Sequence, residues 1–295
     1  MIKYDMKNFD TFSLPGANCN EDASFICDDF LFVIDGATGL LKENVTPERS
    51  DARWFALRWC EYLKENLPNK SISIKEIVRK GITQIDAEYM AFDGAKHVQS
   101  KPSAGVAICR RENNHFNTFI LGDCSIMLVK DKGFSHLFDT KLSKLDTEQI
   151  ANMTAIAKSK GINVIDARPF ISENLLANRK LLNTPQGYWV LASDPKAADN
   201  AQTNKISLSD IKKVVAMTDG FSQIFDTLAI MSKEEFAQKV LRGVPAEDFV
   251  KLIRQTQDED FNCNRFPRFK KSDDTTVIIE HLDRIKLQET NINKA

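Results

Sequence analysis

Short runs of β-branched and aromatic residues alternate along the chain with longer stretches of helical periodicity. Phe25–Cys27 and Phe30–Ile34 flank the polar pair Asp28-Asp29 and read as a β-hairpin whose second arm ends at Asp35-Gly36. After a polar turn beyond Gly39, Ser50-Asp51 caps a helix running to about Asn66, with Phe55, Trp59, Tyr62 and Leu63 at helical spacing. Ile77, Ile82, Ile85 and Tyr89 place a second helix over roughly Ile74 to Met90. Gly105–Cys109, Phe116–Leu121 and Ile126–Val129 are strand-like, broken by the turn residues Glu112-Asn113-Asn114 and Gly122-Asp123. Helical segments near Asp146–Lys160 and Pro169–Leu182 follow, split by Gly161 and a short β-like run, and Tyr188–Ala192 reads as a strand. A strand at Val214–Met217 runs into Thr218-Asp219-Gly220, and Ser232 with Glu235 forms a capping box that opens a helix. Another helix begins near Pro245, Thr275–Ile279 makes a last buried strand, and the tail from Asp283 is polar.

Strands and helices come in batches, with hairpin-like pairs in place of strict βαβ alternation. That pattern favours an α+β architecture of antiparallel sheet packed by helices. No repeat or Gly/Ser linker divides the chain, so the expectation is one domain over 1–282, with a helical insert at about 140–187 and a polar tail at 283–295.

Composition narrows the functional classes. Of 295 residues, 42% are hydrophobic and 27% charged, ordinary values for a protein with a sizeable core. A formal net charge of -1 gives no electrostatic reason to expect a nucleic acid or an anionic membrane as partner. Cys19, Cys27, Cys60, Cys109, Cys124 and Cys263 form no CxxC pair, and the opening MIKYDMKNFD lacks the apolar core of a secretory signal. The expectation is a cytoplasmic protein with reduced thiols.

Several carboxylates share one local setting, at a strand end and often beside glycine: Asp35 before Gly36, Asp123 after Gly122, and Asp219 before Gly220. Asp273-Asp274 precedes the last strand, and Glu21-Asp22 precedes the first expected one. Singly, each is an ordinary turn or solvated loop. Clustered, they would repel one another unless a cation neutralised them, and an all-oxygen ligand set suits Mg2+ or Mn2+.

In order and with their apolar flanks, Asn20-Glu21-Asp22-Ala23, Val33-Ile34-Asp35-Gly36-Ala37-Thr38-Gly39, Leu121-Gly122-Asp123, Met217-Thr218-Asp219-Gly220 and Ser272-Asp273-Asp274-Thr275-Thr276 resemble the protein phosphatase 2C family, in its shorter, divergent bacterial form. The resemblance spans about residues 16–280 and implies a four-layer α-β-β-α sandwich, two antiparallel sheets packed face to face with helices outside, in which the insert is a flap. It implies a metal-dependent hydrolysis of phosphoserine and phosphothreonine by a water bridging two Mg2+ or Mn2+ ions, with no catalytic cysteine. Asp35 would bridge the ions, the Gly36 carbonyl would reach one, Asp219 and Asp273 the other, and Asp123 a weaker third ion. Glu21 and Asp22 would hold metal-bound waters, with Asp274 in support behind the ligands. The implied partner is a phosphorylated protein opposing a Ser/Thr kinase.

The chain departs from the family at two places. Ala17 stands where an arginine often grips the substrate phosphate, and Ala37 where the animal enzymes have a histidine. Lys42, Arg49 and Arg53 are candidate replacements for the arginine, although each also fits a solvated helix face, and His97, His115, His136 and His281 lie away from the motifs. Other readings are a phosphatase of a small phosphorylated molecule, a catalytically silent regulatory module, and a carbohydrate- or calcium-binding sandwich.

Overall fold

The computed structural model describes residues 8–39 and 43–282; Lys42 and the tail from Asp283 lie outside the described residues. One sheet runs in the order β1 (Phe9–Leu14), β10 (Thr275–His281), β9 (Ile211–Met217), β6 (Ser125–Lys130), β7 (Phe134–Leu137). The other runs β2 (Asp22–Ile26), β3 (Phe30–Ala37), β4 (Ser103–Glu112), β5 (His115–Leu121), β8 (Gln202–Ser207). Every neighbouring pair is antiparallel.

Side-chain alternation explains the layers. In β3, Phe30, Phe32 and Ile34 face α1 (Asp51–Asn66) and α2 (Ile74–Met90), where they pack with Phe55, Trp59 and Ile82. Leu31 and Val33 point the other way, into the space between the sheets, against Ala107, Ile126, Val214 and Ile278. On the far side, Met127, Val215 and Val277 face α6 (Lys233–Leu241) and α7 (Ala246–Glu259), where Phe236 and Phe249 meet edge to face with ring centroids 4.9 Å apart. Central strands covered on both faces must be apolar at consecutive positions, which is why they read as runs. The result is a four-layer α-β-β-α sandwich.

Local signals set most helix boundaries. Ser50, Ser73 and Ser232 accept from the N–H groups of Arg53, Glu76 and Glu235 at the starts of α1, α2 and α6. α7 follows Pro245 without such a cap, and Asp10 of β1 supplies one from a distance, its Oδ2 accepting from Ala246 N at 2.6 Å.

Several expectations need correction. β1, β7 and β8 were not expected, so Asp22 begins the second strand and does not precede the first. α3 spans Lys141–Lys160, starting five residues before Asp146. The β-like run after Gly161 gives way to a 3-10 helix at Ile165–Ile171, which leads into α4 (Ser172–Arg179). Tyr188–Ala192 is not a ladder strand: it makes isolated bridges, Leu191 to Ala104 and Tyr188 to Leu182, while the Asn183 side chain closes both backbone groups of Val190. The insert packs a small core of Met153, Ala157, Val164, Ala167 and Ile171 against Cys263 and Phe269 from the segment after α7. No helix among the described residues is long and apolar enough to cross a membrane.

Candidate metal centre

The strand registers bring the motif carboxylates to one end of the sandwich. Asp22 pairs with Asp35 across β2 and β3, and Asp35 with Gly105 across β3 and β4. Leu121, after which the chain turns at Gly122-Asp123, pairs with Val106 of β4, and Ser125 of β6 pairs with Met217, just before Asp219. Asp219 opens the single-turn α5 (Asp219–Ser222), and Asp273 precedes β10. Asp35 continues the inward row Leu31, Val33 at the edge of the intersheet core, so a carboxylate stands where the pattern would place the next apolar side chain.

Like charges directly opposite on a sheet are destabilising, and the local chemistry shows that cost. Burial pushes the Asp35 carboxyl well above its ordinary range, and the charges of Asp219, Asp22 and Asp123 push it further. Burial likewise raises Asp22 strongly, partly offset by the Thr276 hydroxyl, with Asp274 and Asp219 adding to the rise. Asp219 is raised to about 7, by burial first and then by Asp273 and Asp123. Asp123 is raised to about 6, by burial first and then by Asp146. The Asp35 and Asp219 carboxyls are in hydrogen-bonding contact, which two ionised groups cannot hold without a proton or a cation between them.

Surrounding groups hold this arrangement. Thr218 Oγ1 donates to Asp22 Oδ2 at 3.0 Å and accepts from Thr276 N at 3.0 Å. Asp274 accepts from Gly16 N and Glu21 N, both at 2.7 Å, pinning the loop that leads into β2. Glu21 turns its carboxylate to the Thr38 and Ser50 hydroxyls. Lys270 Nζ lies 2.7 Å from Asp273 Oδ1; against some desolvation of the ammonium on this exposed side chain, Asp273, Asp219 and Asp35 together hold it above its usual range.

Two glycines keep space open at the cluster. A methyl group on Gly105 would sit 2.5 Å from Asp123 Oδ1, and one on Gly36 would sit 2.5 Å from the Glu21 carbonyl oxygen and 3.0 Å from that of Ala52. Backbone cannot retreat as a flexible side chain can. Gly36→Ala is therefore expected to cost about 1–3 kcal/mol of stability, seen as a lower urea midpoint at unchanged m-value. A wild-type midpoint would show that β2 and α1 give way freely.

Do these residues fit a divalent ion? Among the described residues, Asp35 Oδ2 and Asp22 Oδ1 are buried oxygens without a hydrogen-bond partner, an arrangement that is costly unless a cation completes it. Asp35, Asp123 and Cys124 offer ligand atoms within 4.8 Å of one another. Burial, followed by Asp35, keeps the Cys124 thiol protonated, and a neutral sulfur suits a hard ion poorly. The oxygen donors fit Mg2+ or Mn2+.

Asp146 was missed in the sequence. It is raised to about 7, by burial first and then by Asp219 and Asp273, and it lines a cleft of about 190 Å³ with Asp35 and Asp123. The signal was present: Asp146 shares a helix stripe with the buried Gln149, Met153 and Ala157, but placing the helix start at Asp146 made it look like an end residue. None of the described histidines lines this cleft. Arg53 Nη1 donates to the carbonyls of Asn20 and Asp22, at 2.9 and 3.1 Å, and Arg49 Nη1 to that of Asn18, at 2.8 Å. A larger groove of about 610 Å³, lined by Phe12, Leu14, Val250 and Arg254, lacks this convergence of acids from both sheets, so volume alone does not locate the site.

A family model described as Protein phosphatase 2C matches residues 17–256. No curated protein sequence matches. Among solved structures, the chain is similar to the serine/threonine phosphatase Stp1 from Staphylococcus aureus, with a TM-score of 0.57 at 12% identity, covering 93% of this chain and 94% of that one. It is also similar to the Mycobacterium tuberculosis serine/threonine phosphatase PstP/Ppp, with a TM-score of 0.55 at 13% identity and coverage of 93% and 97%. A third similar structure is the catalytic domain of a serine threonine protein phosphatase, PstP, in complex with two manganese ions, with a TM-score of 0.51 at 14% identity and coverage of 92% and 96%.

Proposed function

Because the chain belongs to the protein phosphatase 2C family, we propose that it is a metal-dependent phosphatase acting on phosphoserine and phosphothreonine in proteins. One observation carries the reading: carboxylates from both sheets converge at one sandwich end with buried oxygens unpartnered. Asp35 would bridge two ions, with the Gly36 carbonyl on one, Asp219 and Asp273 on the other, and Asp123 on a weaker third. Bound there, Mg2+ or Mn2+ would supply Lewis acidity, lowering the pKa of water and drawing charge from phosphoryl oxygens. The two manganese ions of the PstP catalytic domain support this choice of metal.

The chain's own residues prepare the site. Thr218 and Thr276 orient Asp22 beside Asp35, and Asp274 fixes the entering loop. Leu142, Leu145, Leu175 and Val190 form an apolar wall on the cleft, which limits water around a reacting phosphoryl group. The protein substrate, and with it the opposition to a Ser/Thr kinase, is supported by the phosphatases of the same fold.

The test is hydrolysis of para-nitrophenyl phosphate and of a phosphothreonine peptide with Mn2+ or with EDTA. Metal-dependent turnover that favours the peptide is expected. Turnover confined to the small ester would favour a small-molecule phosphatase, and calorimetric metal binding without turnover would favour a silent regulatory module.

A further inference from the structure

A phosphate ester entering a cleft lined by acids needs positive charge from the protein, and most cations near this site are already engaged. Arg53 and Arg49 hold backbone carbonyls of the 18–22 loop. Arg254 Nη2 donates to the carbonyls of Asp273 and Leu14, at 2.6 and 3.1 Å. Lys270 is paired with Asp273. Ala17, on the same loop, brings no charge.

Arg179, the last residue of α4, is different. Among the described residues it is the only arginine or lysine that lines the cleft with Asp35 and Asp123, and its guanidinium, like those of Arg53 and Arg254, is held by neutral groups. Nη2 donates to Ser103 Oγ at 2.9 Å and approaches the Ala37 carbonyl at 3.5 Å, and the side chain is hydrogen-bonded to Tyr188. Ala37 pairs with Ser103, two positions along the ladder from the pair Asp35–Gly105. Residues two apart on a strand share a face about 7 Å apart. The Arg179 anchor thus stands one side-chain row beyond Asp35, a spacing that leaves room for a phosphoryl group between them. Arginine carries five N–H donors in a fixed fork, so donors remain for phosphate oxygens.

We infer that Arg179 binds the phosphoryl oxygens of the substrate, positioned by Ser103 and Tyr188, and that the flap thereby supplies the phosphate grip. This rests on the phosphatase reading above. The apolar wall from Leu142, Leu145 and Leu175, also in the insert, would then face the carbon stem of the phosphorylated side chain.

The experiment compares Mn2+-loaded wild type, Arg179→Ala, Arg179→Lys and Arg179→Gln. KM is measured with para-nitrophenyl phosphate and the phosphothreonine peptide, inorganic phosphate is assayed as competitor, and melting is followed throughout. Loss of a charge-assisted contact is expected to raise KM and the phosphate inhibition constant together, by about tenfold or more in Arg179→Ala. Lysine should recover part of the loss and added guanidinium more, because the ammonium lacks the planar fork. Unchanged KM and phosphate inhibition in variants that melt like wild type would overturn the inference, as would losses that follow melting temperature alone. Wild type without metal-dependent turnover would instead count against the phosphatase reading. Calorimetry with inorganic phosphate then decides: binding weakened in Arg179→Gln supports the grip, and unchanged or absent binding overturns it.

Discussion

Asp35→Asn is expected to lower metal-dependent turnover on the order of a thousandfold, a barrier increase of about 4 kcal/mol, while making the ion-free protein more resistant to heat. The two effects have one cause. Asp35 sits opposite Asp22 in the ladder and touches the Asp219 carboxyl, and burial and both neighbours press its charge toward neutrality. Asparagine keeps the shape and is neutral without taking up a proton, so the cost of neutralising a buried carboxyl on folding disappears and the melting temperature rises by a few degrees. It also replaces one of the two carboxylate oxygens with an NH2 that cannot ligate, so the side chain can no longer bridge two ions and Mn2+ should no longer protect the variant against melting. Steady-state kinetics and thermal melting with and without Mn2+ check the pair. An Asp35 with a purely structural role predicts the opposite, lower melting with activity lost only in proportion. Turnover above a tenth of wild type would remove Asp35 from the proposed bridging position.

That opposition explains what could be read from the sequence. Signals that act within a few residues survived into the structure: Ser50 and Ser232 cap their helices, and the doubly buried β3 is apolar at consecutive positions. Elements defined by distant partners did not. β1 carries Asp10, Thr11 and Ser13 and becomes a strand by pairing with β10, at the far end of the described chain. β8, Gln202–Ser207, has almost no apolar content and exists as an edge through its ladder to β5. Conversely, Tyr188–Ala192 has strand composition, but the Asn183 side chain takes the place of a ladder partner at Val190. At α3, the Asp139 carboxylate accepts from Lys141 N at 2.8 Å from outside the helix, which hid the true start and disguised Asp146.

The candidate site followed the same rule. Asp22, Asp35, Asp123, Asp219 and Asp273 stood out because each lies beside a strand end in an ordered set of motifs. Asp146 and Arg179 come from the insert and Lys270 from the turn before β10, where no motif marks them; only the fold brings the first two to the cleft and Lys270 to Asp273. Specific chemistry on the insert is thus the least legible part of the chain.

The carboxylate cluster also sets how stability changes with pH. Without metal, Asp219 and Asp146 are raised to about 7 and Asp123 to about 6, with Asp22 and Asp35 raised well above their usual range, burial leading in every case. Unfolded carboxyls titrate near about 4. Between roughly pH 4 and 7 the folded protein therefore holds more protons than the unfolded chain, and stability falls as pH rises through that window. His136 works against this: burial, then Lys233, lowers it to about 4, so its contribution grows as pH rises toward the usual imidazole range. One imidazole opposes five raised carboxyls, and the net slope stays negative. A divalent ion competes with those protons, so its protection should be slight at pH 5 and large at pH 8, about 2.7 kcal/mol when the free ion stands at a hundred times its dissociation constant. Thermal melting from pH 5 to 8, in EDTA and in Mn2+, reads both curves. The EDTA curve should descend with pH while the Mn2+ curve separates from it upward, with proton release visible by calorimetry in buffers of different ionisation enthalpy. A flat or rising EDTA curve, or equal protection at pH 5 and 8, would mean that the cluster does not keep its protons until the metal arrives.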